Sequence, residues 1–268
     1  MGLMLYFCRN NAVFLGIDTI DIDLKTHSTA QHRLLIYEPK CVTLNNTLFL
    51  LGRSEGRRMG DRFVNFLAHL FLSGDTPELL VGNLMGDFVK GKLDGRFPPG
   101  IEQGILLHRE IDSFAGQNHH FLRSKRRLDP SFGLYRGVLV DLFYDHFLAA
   151  HWEDYADVPL SLFISDAWRV LCEHKEFLPD RLKRIMPFMF REWLPSYSDL
   201  GGIAAVLHRI SRFRVKRANR LGKGAEELSR HYGGFYEDFR KFIPELIHSM
   251  APNSDFQIVG KSAAQYQP

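Results

Sequence analysis

The chain has 268 residues, enough for one sizeable core or a core plus an appendage, and no apolar run in it approaches the ~20 residues that span a bilayer. A hydrophobic content of 45% and a charged content of 24% are those of a globular protein, and a net charge of +3 is too small to argue for a nucleic-acid partner. Cys8, Cys41 and Cys172 form no CxxC pair, which excludes a disulfide framework or a zinc ribbon and points to a reducing, cytoplasmic setting.

Residues 1–58 carry short apolar runs at Val13–Ile17 and Leu34–Tyr37 and a loose alternation over Val42–Leu51. None is a clean strand or helix pattern. The opening stretch lacks a basic region and a small-residue cleavage site, so a secretory signal is not expected. A polar Gly/Arg-rich stretch, Gly52 to Arg58, then leads directly to Met59. The expectation is a weakly structured N-terminal extension over 1–58, with the native chain starting at or near Met59, a helical domain over 59–250, and a tail over 251–268; a small N-terminal subdomain is the alternative for 1–58.

From Asn65 the pattern is helical. Asn65–Leu72 is strongly apolar and stops at Ser73-Gly74-Asp75. Thr76-Pro77-Glu78 has the form of a helix start, with Thr76 as N-cap and Pro77 in the first turn. That helix is expected to carry Leu79–Val89 and to stop by Gly91, before a loop over Gly95–Pro99. Further helices are expected over Ile101–Phe114, Phe121–Arg127, Leu134–His151, Leu160–Cys172, Pro179–Trp193, Leu200–Leu221 and Ala225–Met250. The fold class is therefore all-α.

Chemistry-bearing residues concentrate in the first half of that bundle. They are His69, Asp87, the pair His108 and Asp112, and the trio Asp141, Asp145 and His146. Spacings of four residues place His108 with Asp112, and Asp141 with Asp145, on one helix face. A lone histidine in an apolar helix is more often a hydrogen-bonded core residue than a ligand. Asp87, Asp141 and Asp145 sit among Leu, Val, Met and Phe, where an unpartnered carboxylate is costly. Arginine or lysine would satisfy each singly. Their joint occurrence favours a cage for a divalent cation, and imidazole with carboxylate suits Mn2+, Fe2+, Co2+ or Mg2+.

The same segments carry a family resemblance. Asn65-Phe66-Leu67-Ala68-His69-Leu70, Gly82 to Gly91, Asp94 to Pro99, Gly104 to Asp112, and Asp141-Leu142-Phe143-Tyr144-Asp145-His146-Phe147-Leu148 with His151-Trp152 follow in the order seen in acyl carrier protein phosphodiesterases. A weaker echo runs from Tyr232 to Pro244. The resemblance covers roughly Val64 to Met250. It implies a fold like that of the histidine–aspartate (HD) phosphohydrolases, a divalent cation with Mn2+ favoured, and release of 4′-phosphopantetheine from holo acyl carrier protein. It departs from HD enzymes at large in lacking an adjacent His-Asp doublet, and residues 1–58 have no counterpart in the family.

The expected metal shell is His69, Asp87, His108, Asp112, Asp145 and His146, with His146 alternatively a support for the helix carrying Asp145. Asp87 or Asp112 is the expected general base. Lys90 and Arg109 are the expected phosphate clamp, with a surface charge or a partner for Asp87 as their plainer roles. An acidic carrier calls for a basic docking face. Arg209, Arg212, Lys216 and Arg220, flanked by Arg214 and Arg217, are spaced to form a stripe on one helix; Arg123, Lys125, Arg126 and Arg127 form a second cluster. No nucleic-acid reading motif accompanies them. Two other functions fit the residues: hydrolysis of a nucleotide or other small phosphodiester, and a non-catalytic helical adaptor whose buried acids pair with arginines.

Overall fold

A computed structural model describes residues 65–213 and 220–250, and every regular element among them is helical. The expectations for 1–58 and 251–268 lie outside these residues. Helix α1 spans Phe66–Phe71, α2 Pro77–Met85, α3 Pro99–Gln117, α4 His119–Arg127, α5 Tyr135–Ala150, α6 Trp152–Tyr155 and α7 Leu160–Glu173. Helix α8, Asp180–Phe188, widens into a π-helical turn at Met189–Trp193 before the single turn α9, Leu194–Ser196. Helices α10 (Leu200–Phe213), α11 (Gly224–Arg230) and α12 (Tyr232–Met250) complete the described chain.

Helix α5 lies at the centre. Every residue from Leu139 to Ala149 is buried, including Asp141, Asp145 and His146. A helix that is apolar all round has no solvent face to offer and packs on every side. Here α1, α4, α10 and α12 surround it. Phenylalanine fills the seams: Phe143 meets Phe235 edge-on at 5.1 Å, and Tyr144 sits 5.1 Å from Phe242 and 5.5 Å from Phe239 between ring centroids. Burying each such side chain contributes roughly 1.5–3 kcal/mol.

The pairing of α2 with α3 sets the site. Added Cβ atoms would approach the backbone within 2.1 Å at Gly82 and 2.4 Å at Gly104, so only glycine at both positions lets the two helices come this close.

Most expected helices appear with shifted ends. Pro77 stands at the first turn of α2 behind Thr76, but the Thr76 side chain makes no capping bond. The helix ends at Met85 rather than near Val89, and Gly86, Asp87 and Phe88 form a turn. Asp87 is therefore just past the helix end, not inside it. The Pro179–Trp193 expectation splits at the π-helical turn that follows Pro187, since a proline inside a helix removes a backbone donor. The Ala225–Met250 expectation breaks at His231.

Candidate metal centre

Two helices and a turn deliver four side chains to one place. Helix α1 supplies His69, α3 supplies His108 and Asp112 a turn apart, and the turn after α2 supplies Asp87. Asp112 Oδ1 lies 3.6 Å from His69 Nε2, and Asp112 Oδ2 lies 3.7 Å from His108 Nε2. Asp87 Oδ1 lies 3.6 Å from His108 Nε2. The two imidazoles stack with centroids 4.1 Å apart. His69, His108 and Asp87 are buried, whereas the Asp112 side chain keeps 26% of its surface.

One residue orients both rings. Asn83 Oδ1 accepts from His69 Nδ1 at 2.7 Å, and the Asn83 main-chain carbonyl accepts from His108 Nδ1 at 2.8 Å. Both rings thereby carry a proton on Nδ1 and turn Nε2 toward the carboxylates. Asn83 is itself fixed, donating to His69 O at 2.8 Å and to Ser73 Oγ at 3.0 Å. His69 Nε2 also accepts from Asn65 Nδ2 at 3.0 Å. Burial, and then the neighbouring His108, pull the His69 pKa below its ordinary value, offset in part by Asp112 and Asp87. His69 is therefore a neutral imidazole at neutral pH, the form that ligates metals.

Gly86 completes the arrangement. A Cβ there would stand 2.1 Å from the His108 ring, so a side chain would push that ring out of place.

The N···O separations of 3.6–3.7 Å are too long for hydrogen bonds. Donors sharing one cation at bond lengths of about 2.0–2.2 Å lie roughly 3.0–3.4 Å from each other. The gaps are thus a few tenths of an ångström wider than a closed shell, and His69, His108 and Asp112 constitute a group able to hold a metal ion.

The remaining expected ligands have other partners. Asp145 accepts from the main-chain N–H groups of Leu67 and Ala68, both at 2.9 Å and one on each carboxylate oxygen. These are second- and third-position donors of α1, which a helix cannot satisfy internally. Asp145 caps α1 from across the core while the N-cap residue, Asn65, directs its side chain to His69 instead. Burial, opposed by those two hydrogen bonds, raises the Asp145 pKa well above the usual carboxylate range. His146 donates from Nδ1 to Tyr197 O at 2.7 Å and accepts at Nε2 from the Tyr232 hydroxyl at 3.2 Å. Asp145 and His146 were expected among the ligands; the structure brings neither into the group, because their donor atoms are engaged elsewhere. Asp141 is buried one turn before Asp145.

Arg109 donates to the carbonyls of Gly91 at 2.8 Å and Val89 at 3.4 Å, so it braces the segment that carries exposed Lys90. Among the basic residues, Arg123 and Arg127 turn inward to Asp238, while Arg126 is exposed and Lys125 half-buried. Arg209 pairs with Glu192 at 2.5 Å, and Arg220 donates to Ser131 Oγ at 2.7 Å. Lys216, Arg214, Arg217 and the Arg212 side chain lie outside the described residues, so the proposed single-helix stripe is described only in part.

Sequence reasoning assigned no role to Asn83 or Asn65. Asn83 had a signal: an amide in the apolar face of α2, four residues before Asp87, is as much in need of a partner as the carboxylate.

Fold and site together define an all-helical protein with a buried His/Asp group able to hold a metal ion. The acyl carrier protein phosphodiesterase family profile matches residues 64–246, and the chain belongs to that family. It is 31% identical over 195 residues to an acyl carrier protein phosphodiesterase of Photorhabdus laumondii, covering 72% of this chain and 98% of the relative. It is 33% identical over 186 residues to the protein of that name from Pectobacterium atrosepticum, covering 69% and 96%. The one from Yersinia pestis is 31% identical over 193 residues, covering 69% and 96%. No solved structure is significantly similar. No described helix is long and apolar enough to cross a membrane.

Proposed function

We propose that this chain is a metal-dependent phosphodiesterase that converts holo acyl carrier protein to apo acyl carrier protein and 4′-phosphopantetheine. Family membership supports the substrate. The observation that carries the chemistry is the convergence of two imidazole Nε2 atoms, in rings oriented by Asn83, with the carboxylates of Asp112 and Asp87 at 3.6–3.7 Å.

His69, His108 and Asp112 would hold the ion, with Asp87 completing or supporting the shell. Mn2+ is the proposed ion; Mg2+, Co2+ and Fe2+ suit the same donors. When bound, a divalent cation lowers the pKa of its water toward about 7 and neutralises phosphate oxygens. Binding it at His69 Nε2 requires Asn65 to give up its present contact. Asp87, the carboxylate outside the His69, His108 and Asp112 group, is the proposed general base, which would take a proton from water as its oxygen attacks phosphorus and pass it to the leaving oxygen. The bond from phosphorus to the serine oxygen breaks, and that oxygen leaves with a proton as the apo-protein hydroxyl. Lys90 is the proposed phosphate contact; Arg109 would act through the loop that it braces. Asp145 would position His69 by setting the start of α1, and His146 would tie α5 to α12.

Lys125, Arg126 and Arg209, with Arg212, Lys216 and Arg220, are the proposed docking charges for the acidic carrier. Such a surface speeds encounter and weakens with salt.

The test is incubation with holo acyl carrier protein and Mn2+, followed by mass spectrometry. Loss of the phosphopantetheine arm in the presence of metal, abolished by chelator, is expected. An unchanged carrier mass under all metals tried would overturn the substrate assignment, and turnover of a small diester alone would favour the nucleotide-type alternative.

A further inference from the structure

A second cluster of side chains able to hold a metal ion lies where α4 begins, built from elements that do not contribute to the centre described above. His119 and His120 open α4, and their ring centroids are 3.7 Å apart. Glu245, near the end of α12, presents Oε1 to His120 Nε2 at 3.5 Å. One donor atom from each of the three residues lies within 4.8 Å of the others.

The supporting contacts aim these groups at each other. Asn118 Oδ1 accepts from the main-chain N–H groups of His120 at 2.9 Å and Phe121 at 3.3 Å, capping α4. The same side chain donates through Nδ2 to Glu245 Oε2 at 2.7 Å. One carboxylate oxygen is thus pinned and the other is left facing the imidazole. An orienting amide of this kind is typical of the groups behind metal ligands. His120 is only 6% exposed, and the ring nitrogen it turns to the unpinned Glu245 oxygen is Nε2. Two imidazoles and a carboxylate held by an orienting amide are thus gathered at one point where an ion can sit among them.

We propose that His119, His120 and Glu245 bind a borderline transition-metal ion of the Zn2+ type, clamping the start of α4 to the end of α12. Two nitrogens and one oxygen favour such ions over Mg2+ or Ca2+, which take all-oxygen shells. Exposed His119 provides the entry side, and three protein donors leave a fourth position to solvent. The site is structural: no phosphate-binding or proton-transfer group of the proposed reaction adjoins it.

The test uses the tag-free, chelator-stripped full chain, titrated with Zn2+ and followed by calorimetry and by thermal unfolding. His119→Ala and Glu245→Gln are each expected to lose one equivalent of Zn2+, or to bind it at least ~10-fold more weakly, and to lose the matching rise in Tm. Asp112→Ala is expected to keep the equivalent and the Tm rise that His119→Ala removes, whatever it loses at the catalytic centre. His119→Ala should also retain wild-type phosphodiesterase turnover with Mn2+, which separates this site from the catalytic one. Equal stoichiometry and affinity in wild type, His119→Ala and Glu245→Gln would overturn the proposal and leave Glu245 as a counter-charge to the N-terminus of α4.

Discussion

Two of the buried polar clusters among the described residues are resolved in opposite ways. Around Asp238, which is fully buried, Arg123 and Arg127 bring guanidinium groups and Ser124 Oγ donates at 2.9 Å, with Tyr144 beyond it at 3.0 Å from Ser124. The charge is matched within the protein. Around Asp87 and Asp112, by contrast, the groups seen facing the carboxylates are the Nε2 atoms of His69 and His108 at 3.6–3.7 Å, in rings that Asn83 orients through Nδ1. A buried acid met by guanidinium is a structural fastening, whereas carboxylates and oriented imidazoles converging on one point constitute a place for a cation.

Reciprocal substitutions test that contrast most strongly. Asp112→Ala is expected to lower phosphodiesterase turnover by ~10³-fold or more with little change in Tm. Asp238→Ala should do the reverse, costing about 1–3 kcal/mol of stability by removing the buried acceptor of Arg123, Ser124 and Arg127. Its turnover per folded molecule should stay near wild type. Denaturant unfolding and kinetics on both variants decide it; matching stability losses would mean that the Asp112 cluster is as structural as the Asp238 one.

Asn83→Ala should have an intermediate effect. With the Nδ1 partner of His69 removed, metal affinity is expected to fall ~10–100-fold, and excess Mn2+ should restore much of the lost turnover. Measuring activity against Mn2+ concentration checks this; a loss that metal cannot rescue would assign Asn83 to packing alone.

The smallest effect concerns pH. His69 and His146 are both buried and have pKa values below the ordinary histidine value. Between that value and the depressed folded one, the unfolded chain binds protons that the native protein refuses. Their contribution to stability therefore increases with pH through this window and is lost as pH drops below about 6.5, while Asp145, whose pKa is raised, contributes in the opposite sense. Imidazole NMR titrations separate the two, and either ring taking up its proton at or above about 6.5 would contradict the neutral assignment. Manganese should steepen the fall, because protons compete for Nε2.

How the two clusters were separated shows the reach of the sequence. Helical periodicity and apolar content were sufficient for an all-α reading, because a face repeated every three to four residues survives any tertiary arrangement. His108 with Asp112 was legible as a pair for the same reason: both lie on one helix, where local geometry fixes their separation. Asp145 had the same local credentials, four residues from Asp141 and in an apolar helix, yet its two oxygens are bound to the first turn of α1. Likewise nothing in Arg123-Ser124-Lys125-Arg126-Arg127 reveals that the first and last arginines reach Asp238 on α12 while Arg126 stays at the surface. Residue type and helix phase thus determined which groups needed a partner. Which partner each one met depended on contacts between helices far apart in the chain, made possible by glycines at Gly82, Gly86 and Gly104, and only the packed tertiary structure decided those.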